Sequence, residues 1–306
     1  DELIEFGAGG PLVRFGIEYD EPARASDKRA EAAAAPVKNA TRPATAPSDD
    51  TRANNLWLLI ALVAAMLIGA AGGIALSPRR GASFIEIARQ NSPAVVFIRS
   101  QYTLLDSGGQ AIVTDSRTGT GFVVSSSGLI VTNRHLIRDW EYNPTFAGAT
   151  GRTDRIEVIF PDSRREDVIL AQVYSLSTST ETDLAILKID PPAGMPVVRS
   201  LGSGSEQVSQ GAEVAVLGYP LGLDLLNLTG ETLIAPSLSA GVVSRASSGI
   251  IQLSLRAYNG NSGGPVFDHH GRVIGVLTAN VRSAQDLTLC TPIQAATDLI
   301  TDESQR

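Results

Sequence analysis

A serine inside a glycine-rich string is the first group in this sequence that could do covalent chemistry. Ser262 lies in GNSGGP, residues 260–265. A serine that attacks a carbonyl must present its hydroxyl where backbone N–H groups point at the same spot, and glycine permits such a turn because it has no Cβ to clash. Gly260, Asn261 and Ser262 could form that cradle for an oxyanion. The same string also occurs as a plain loop, so it carries meaning only with partners elsewhere in the chain.

Two residues earlier in the chain could serve Ser262 as a base and an acid. His135 follows the apolar run LIVTN and is one of only three histidines. An imidazole of near-neutral pKa can take the proton that a serine hydroxyl must lose. Asp183 opens the apolar run DLAILKI, where its carboxylate could accept the second imidazole N–H. Each alone has a plainer interpretation, His135 as a satisfied core histidine and Asp183 as a turn or cap residue.

The order of the three residues along the chain points to one hydrolase architecture. They occur as histidine, aspartate and serine. The α/β-hydrolases instead run serine, aspartate, histidine, and the subtilisins run aspartate, histidine, serine. The histidine-first order belongs to the chymotrypsin-like double β-barrel. An all-β fold is therefore the architecture that must position these side chains.

Short apolar runs with a period of two, separated by turn clusters such as SSSG and DHHG, support that fold class. β-Branched runs at this spacing are typical of antiparallel sheets closed into a sandwich or barrels. They lie at 94–98, 121–125, 129–133, 155–160, 183–189, 213–219, 241–245, 250–255, 264–268 and 273–279. Two segments have helical spacing instead, residues 83–90, with Phe84, Ile87 and Ala88 on one face, and residues 291–303.

Several blocks, taken together, resemble successive segments of the high-temperature-requirement (HtrA/Deg) family of serine proteases. The blocks are SFIEIARQNSPAVVFI, GTGFVVSSSGLIVTNRH, TDLAILKI, GYPLG, SAGVVS, GNSGGPVF and GRVIGVLT, and the resemblance runs from about residue 83 to residue 300. It implies a trypsin-like protease domain over residues 82–303, with a short helix at each end. Its first six-stranded barrel is expected over about 93–193 and its second over about 205–295, with the active site between them.

The same resemblance implies a serine endopeptidase that cleaves misfolded or regulatory polypeptides. In the family's mechanism Ser262 is the nucleophile, His135 the base and then the acid, and Asp183 the residue that orients the imidazole. The backbone N–H groups of Gly260 and Ser262 are expected to hold the oxyanion. Neither a metal nor an organic cofactor is required. The alternative is a catalytically silent binder or chaperone-like protein on the same scaffold.

The sequence predicts the preferred substrate less precisely than it predicts the catalytic residues. In the family the residues just before the nucleophile turn shape the pocket for the side chain preceding the scissile bond (P1), and here they are Arg256, Ala257 and Tyr258. Small Ala257 favours a small to medium apolar P1 residue, whereas a buried Arg256 guanidinium would favour an acidic one. The stretch DWEYNPTFAGATGRTD at 139–154 reads as an inserted surface loop that could edge the cleft.

Composition excludes several other classes of function. The 306 residues carry 25 Lys and Arg against 32 Asp and Glu, a formal net charge of -7, which argues against nucleic acid as the main partner. One cysteine and three histidines are too few for a disulfide framework, a four-ligand zinc site or an iron–sulfur cluster.

The N-terminal part has a different character from the rest of the chain. Residues 1–55 are rich in Ala, Pro, Ser, Thr and charged residues, and we expect a disordered tail. Residues 56–76, LWLLIALVAAMLIGAAGGIAL, carry no charge and are long enough for a helix that crosses a hydrocarbon core of about 30 Å. A cleavable signal peptide is the competing interpretation, but its apolar run is normally shorter and nearer the N-terminus.

Location and assembly are expectations that rest on the resemblance. Basic residues on the two sides of 56–76 nearly balance, so charge alone does not orient the span. Membrane-anchored family members usually place the protease domain on the periplasmic or outer side, and many form trimers. The sequence ends near the last predicted helix and leaves no room for the PDZ domain that commonly follows in the family, so the expectation is either a member without a PDZ domain or a truncated sequence.

Overall fold

A computed structural model describes residues 2–5, 12–15, 83–143, 146, 149–203, 208–280 and 287–304. The chain divides into two compact units, Asp1–Leu76 and Ser77–Arg306. The predicted membrane span at 56–76 lies outside the described residues. Among the helices that the structure does describe, none combines the length and apolar character needed to cross a bilayer.

Two short strands in the first unit differ from the expectation of a disordered tail. β1 (Glu2–Glu5) and β2 (Leu12–Phe15) pair antiparallel, with Glu2 opposite Phe15. Short apolar runs on either side of a glycine-rich stretch favour such pairing. The rest of the predicted tail lies outside the described residues.

The second unit begins with the helix expected from residues 83–90. Helix α1 (Phe84–Asn91) starts at Ser83, whose hydroxyl accepts a hydrogen bond from the Glu86 amide at 3.2 Å and so caps one free N–H group. Ile87 is buried, and Phe84 and Ala88 pack partly buried against the same core. The predicted apolar face is therefore confirmed. A 3₁₀ turn then leads into the first barrel.

Six antiparallel strands form the first closed barrel. They are β3 (Val95–Leu105), β4 (Ala111–Ser125), β5 (Leu129–Thr132), β6 (Thr150–Ile159), β7 (Ile169–Leu176) and β8 (Ala185–Lys188). Their order around the barrel is β3-β4-β5-β8-β7-β6. The short strands β5 and β8 pair so that Thr132 stands opposite Ala185. This register places the end of β5 beside the start of β8.

A second closed barrel follows and repeats the arrangement. Its strands are β9 (Glu213–Gly218), β10 (Ser237–Ala246), β11 (Ile251–Ser254), β12 (Pro265–Asp268), β13 (Val273–Asn280) and β14 (Leu287–Pro292), in the order β10-β11-β14-β13-β12-β9. A short helix α2 (Asp224–Thr229) follows β9, and α3 (Ile293–Ser304) follows β14. The predicted double barrel and its C-terminal helix are confirmed.

The two barrels share a core and several buried hydrogen bonds. Phe97 of the first barrel packs edge-on against Tyr219 of the second, with ring centroids 5.7 Å apart. The Tyr219 hydroxyl donates to the Val95 carbonyl at 2.8 Å. The packed rings and the paired polar groups join the two barrels. Residues on the facing edges of the two barrels therefore keep a fixed distance from each other.

Candidate active site

His135 and Asp183 meet where β5 and β8 lie side by side. His135 comes three residues after the end of β5, and Asp183 comes two before the start of β8. One carboxylate oxygen of Asp183 accepts the backbone N–H of His135 at 2.8 Å. The other oxygen lies 2.7 Å from the imidazole Nδ1. Two contacts to one carboxylate fix the ring, and they leave Nε2 as the nitrogen available to a nucleophile.

The backbone of Asp183 is held in an uncommon conformation. Its φ is +49°, in the left-handed region that side chains other than glycine rarely adopt. The Asp183 carbonyl accepts hydrogen bonds from Asn133 Nδ2 at 2.9 Å and from the Arg134 amide at 3.3 Å. These bonds offset the conformational cost and aim the buried carboxylate at His135.

Ser262 lies in the turn between β11 and β12. Its carbonyl accepts the Thr120 amide of β4 at 2.8 Å, and the following Gly263 amide donates to the Leu277 carbonyl at 2.8 Å. The Ser262 hydroxyl donates to the carbonyl of Thr278 at 3.4 Å. Within the described residues, Ser262 and His135 share no hydrogen bond. Catalytic hydrogen bonds are often long or misaligned until substrate binds, so this geometry leaves Ser262 a candidate nucleophile.

One cleft brings the three predicted residues together. It has a volume of about 990 Å³, and its walls include His135, Asp183, Ser262 and Gly260. The predicted loop at 139–154 reaches the cleft through Tyr142 and Asn143. Its predicted extent was wrong at one end, because residues 150–154 belong to strand β6. The sequence did not identify those two side chains individually. The length of the loop indicated only that the loop could reach the cleft.

The two peptide groups that flank Gly260 are each clamped by one hydrogen bond. The Asn259 carbonyl accepts the Leu221 amide at 2.7 Å, and the Gly260 carbonyl accepts the Thr120 hydroxyl at 2.7 Å. In a trans peptide the N–H points opposite to the C=O. The Gly260 N–H therefore points away from Leu221, on a residue that forms part of the cleft wall.

The amide of Asn261 is used differently from the prediction. It donates to the Tyr258 carbonyl at 3.0 Å, so this N–H is not free for an oxyanion. The side-chain oxygen of Asn261 is buried and has no hydrogen-bond partner among the described residues. Of the three predicted donors, Gly260 and Ser262 remain.

The residues predicted to shape the P1 pocket do not act as one group. Ala257 is buried, whereas Arg256 and Tyr258 are exposed. The Arg256 guanidinium carbon lies 5.9 Å from the Tyr258 ring centre, in cation–π range. An exposed guanidinium gives no basis for a buried acidic-P1 pocket, which leaves the apolar preference.

Charged groups around the cleft form several local ion pairs. Arg117 lies 2.8 Å from Asp139 and 3.3 Å from Asp115. Arg134 lies 2.7 Å from Glu141. Burial alone would raise the pKa of Glu141, but hydrogen bonds from Arg134 and the nearby Arg138 outweigh it and hold the pKa below its ordinary value.

The sequence has relatives among known proteins. It matches the model of the trypsin-like peptidase domain over residues 119–276, just over half of the chain and a stretch that contains all three candidate residues. The chain therefore belongs to the trypsin-like peptidase family.

Its relatives include several serine proteases of the HtrA type, which confirms the family resemblance. It is 29% identical over 232 residues to serine protease HTRA2, mitochondrial, of Bos taurus, covering 72% of this chain and 43% of that protein. It is 32% identical over 169 residues to a Brucella suis protein named "Probable periplasmic serine endoprotease DegP-like", covering 53% of this chain and 27% of that protein. The chain spans about half the length, or less, of these relatives.

A solved structure shares the fold. The crystal structure of the serine endoprotease from Yersinia pestis aligns with a TM-score of 0.53 at 22% identity, over 73% of this chain and 67% of the other. At this identity the likeness supports the double-barrel fold alone.

Proposed function

We propose that this protein is a serine endopeptidase that uses Ser262, His135 and Asp183. The observation that carries the proposal is the doubly bonded His135–Asp183 pair, which shares one cleft with the serine of the glycine-rich turn. Membership of the trypsin-like peptidase family supports the same chemistry.

In the proposed reaction, Ser262 rotates from the Thr278 carbonyl toward His135. Its hydroxyl gives a proton to Nε2 and its oxygen bonds to the scissile carbonyl carbon, while Asp183 stabilises the imidazolium that forms. His135 then gives the proton to the leaving amine as the C–N bond breaks. Water, activated by the same imidazole, hydrolyses the acyl-enzyme and restores Ser262.

The oxyanion of each tetrahedral intermediate is proposed to lie between the N–H groups of Gly260 and Ser262. Removing one such donor in a comparable protease costs about 3 kcal/mol of transition-state stabilisation. The clamp on the peptide bond between Asn259 and Gly260 supports this role, because it holds the donor in place before substrate arrives.

The test is cleavage of an unfolded protein such as casein, together with labelling by a fluorophosphonate probe, using the full chain purified in detergent. We expect the wild type to cleave and label, and Ser262→Ala to do neither. Ser126→Ala, which changes an exposed serine in the turn after β4, is the matched control and should behave as the wild type.

One observation favours a second candidate function. The Ser262 hydroxyl donates its hydrogen bond to the Thr278 carbonyl and not to His135. If that arrangement persists with peptide bound, the protein is a silent binder or chaperone on a protease scaffold. Unfolded protein would then be bound and protected from aggregation, while the wild type would show neither cleavage nor labelling across pH.

Substrates, membrane attachment and assembly complete the proposal. We infer misfolded or regulatory polypeptides with a small to medium apolar P1 residue, a tether at residues 56–76, and a protease domain on the periplasmic side. Added protease should reach residues 82–306 in intact spheroplasts, and full protection would overturn that orientation.

A trimer is proposed by family resemblance, and light scattering of the detergent-solubilised chain distinguishes it from a monomer.

A further inference from the structure

Tyr142 occupies an unusual position beside the proposed catalytic pair. Its ring lies 5.9 Å from the His135 ring, centre to centre, at an interplanar angle of 70°, an edge-to-face contact. Tyr142 also forms part of the cleft wall. A residue of the long loop after β5 thus covers one side of the imidazole that the proposed mechanism requires.

The turn that carries Tyr142 is anchored on both sides. The turn spans Asp139–Glu141, and the Tyr142 amide donates to the Asp139 carbonyl at 3.0 Å. Buried Asp139 accepts the Tyr102 hydroxyl at 2.9 Å. Glu141, at the other end of the turn, accepts from Arg134 at 2.7 Å. Because Arg134 directly precedes His135, the turn and the imidazole are fixed to the same stretch of backbone.

The hydroxyl of Tyr142 is buried and has no hydrogen-bond partner among the described residues. Leaving a hydroxyl buried and unpaired is unfavourable, so a donor in this position calls for an acceptor. Burial, followed by the negative charge of Asp183, raises the pKa of Tyr142 above its ordinary value. The phenol therefore keeps its proton, and toward the Asp183 carboxylate in the same cleft wall it can act only as a donor.

Asp183 has room for a further donor. Each of its carboxylate oxygens takes one contact from His135, and an ionised carboxylate offers about four acceptor positions. We propose that Tyr142 is a positioning residue for the His135–Asp183 pair, with its ring shielding the imidazole from water and its hydroxyl supplying a third hydrogen bond to Asp183. This inference rests on the proposed peptidase function for its kinetic consequences but not for its geometry.

A third donor would have a defined effect on proton transfer. It spreads the charge of the Asp183 carboxylate, so the imidazolium of His135 is stabilised less strongly than it would be without it. Removing the hydroxyl should therefore let Asp183 stabilise the imidazolium more strongly. Other charged groups near the pair stay the same in such a variant. They are Arg134 and Glu141 beside the pair and Arg117, Asp139, Glu181 and Asp224 along the cleft.

The test compares Tyr142→Phe with the wild type, using the full chain in detergent. We expect the acid limb of the kcat/KM profile to move to higher pH, because the Asp183 carboxylate then stabilises the imidazolium more strongly. We also expect kcat to fall several-fold with KM nearly unchanged. The His135 Nδ1 proton resonance in the NMR spectrum should shift. Tyr174→Phe, on β7 and outside the cleft, should change none of these.

Each outcome separates the two proposals. An active wild type whose acid limb and Nδ1 resonance are unchanged in Tyr142→Phe would overturn the role of Tyr142 and leave the peptidase intact. A wild type that neither cleaves nor labels would overturn the peptidase, while the NMR comparison still tests the geometry. If Tyr142→Phe does not fold, the wild type decides: a slowly exchanging Tyr142 hydroxyl proton close to the Nδ1 proton is expected, and its absence contradicts the proposal.

Discussion

The hydroxyl of Thr120 donates a 2.7 Å hydrogen bond to the carbonyl of Gly260, which joins a strand of the first barrel to the nucleophile turn of the second. The same hydroxyl accepts the Tyr219 amide at 3.1 Å. Thr120 is fully buried, so water cannot replace either bond. One side chain therefore controls the peptide group that follows Gly260, the residue whose own N–H we propose to hold the oxyanion.

Replacing Thr120 by valine tests that control. Thr120→Val keeps the shape but removes the hydroxyl, leaving the Gly260 carbonyl and the Tyr219 amide buried and unpaired. Each such group costs about 1–3 kcal/mol, so we expect a lower free energy of unfolding and a lower kcat. Urea unfolding and peptide cleavage measure the two effects. Thr120→Ser retains the hydroxyl and is the control; equal behaviour of the two variants would refute the hydrogen-bonding role.

Asp183→Asn tests the orientation of His135. An asparagine can place its NH₂ group against Nδ1, which selects the tautomer that cannot accept the Ser262 proton at Nε2. We expect kcat to fall by about 10⁴-fold, the size found for this change in a well-characterised serine protease. Cleavage of a peptide substrate measures the loss. Asp190→Asn, an exposed aspartate just after β8, should have little effect. A similar small effect at Asp183 would remove it from the mechanism.

Most strands could be predicted from the sequence because their buried side chains are apolar and alternate. Strands β7 and β14 were missed for physical reasons. In β7, Leu170 and Val173 are 57% and 40% exposed, so large apolar side chains face solvent. In β14 the buried positions include Thr288, whose hydroxyl donates to the Leu255 carbonyl at 2.9 Å. A polar residue that faces the core interrupts the alternation of apolar and polar residues by which a strand is recognised in a sequence.

In the candidate site too, some features could be predicted from the sequence, whereas others depend on the tertiary fold. Residue type and chain order predicted that His135 and Asp183 would meet. No local pattern predicted the clamp by Leu221, which has a φ of +60° where glycine would be expected. Its backbone is held by the hydrogen bond from its amide to the Asn259 carbonyl, a contact between segments far apart in sequence. The contact between Tyr142 and His135 likewise depends on how a long loop folds back.

Gly263 follows the candidate nucleophile and should tolerate no side chain. Its φ is +85°, and a Cβ there would lie 2.0 Å from the Thr120 carbonyl oxygen. We expect Gly263→Ala to lose more than about 3 kcal/mol of stability or fail to fold, since the clash adds to the cost of a left-handed alanine.

Gly211 provides the matched control for that change. Its φ of +84° is nearly the same, but no described atom lies within 4 Å of the added Cβ. Gly211→Ala should therefore show the conformational cost alone, about 1–2 kcal/mol. Thermal unfolding of the two variants measures the difference. Equal destabilisation would mean that the tight contact between Gly263 and Thr120 is not present in solution.

The ion pair between Arg134 and Glu141 should make part of the stability depend on pH. The pKa of Glu141 lies below its ordinary value of 4.5 in the folded protein, because hydrogen bonds from Arg134 and Arg138 outweigh the effect of burial. A lowered carboxylate pKa contributes stability that is complete above the unfolded pKa and is lost as pH falls through the folded pKa. Removing the charge should therefore matter at neutral pH and matter little in acid.

The variant Glu141→Gln tests this pH dependence of stability. We expect it to lower the free energy of unfolding by about 1 kcal/mol near neutral pH, with a smaller difference from the wild type at a pH well below 4.5, the ordinary pKa of the group. Glu166→Gln is the control, because its side chain is 62% exposed and lies 3.7 Å from Arg164. Urea unfolding at both pH values measures the difference. A gap between Glu141→Gln and the wild type that stays constant with pH would show that the Glu141 carboxylate is not stabilised by Arg134 in the folded protein.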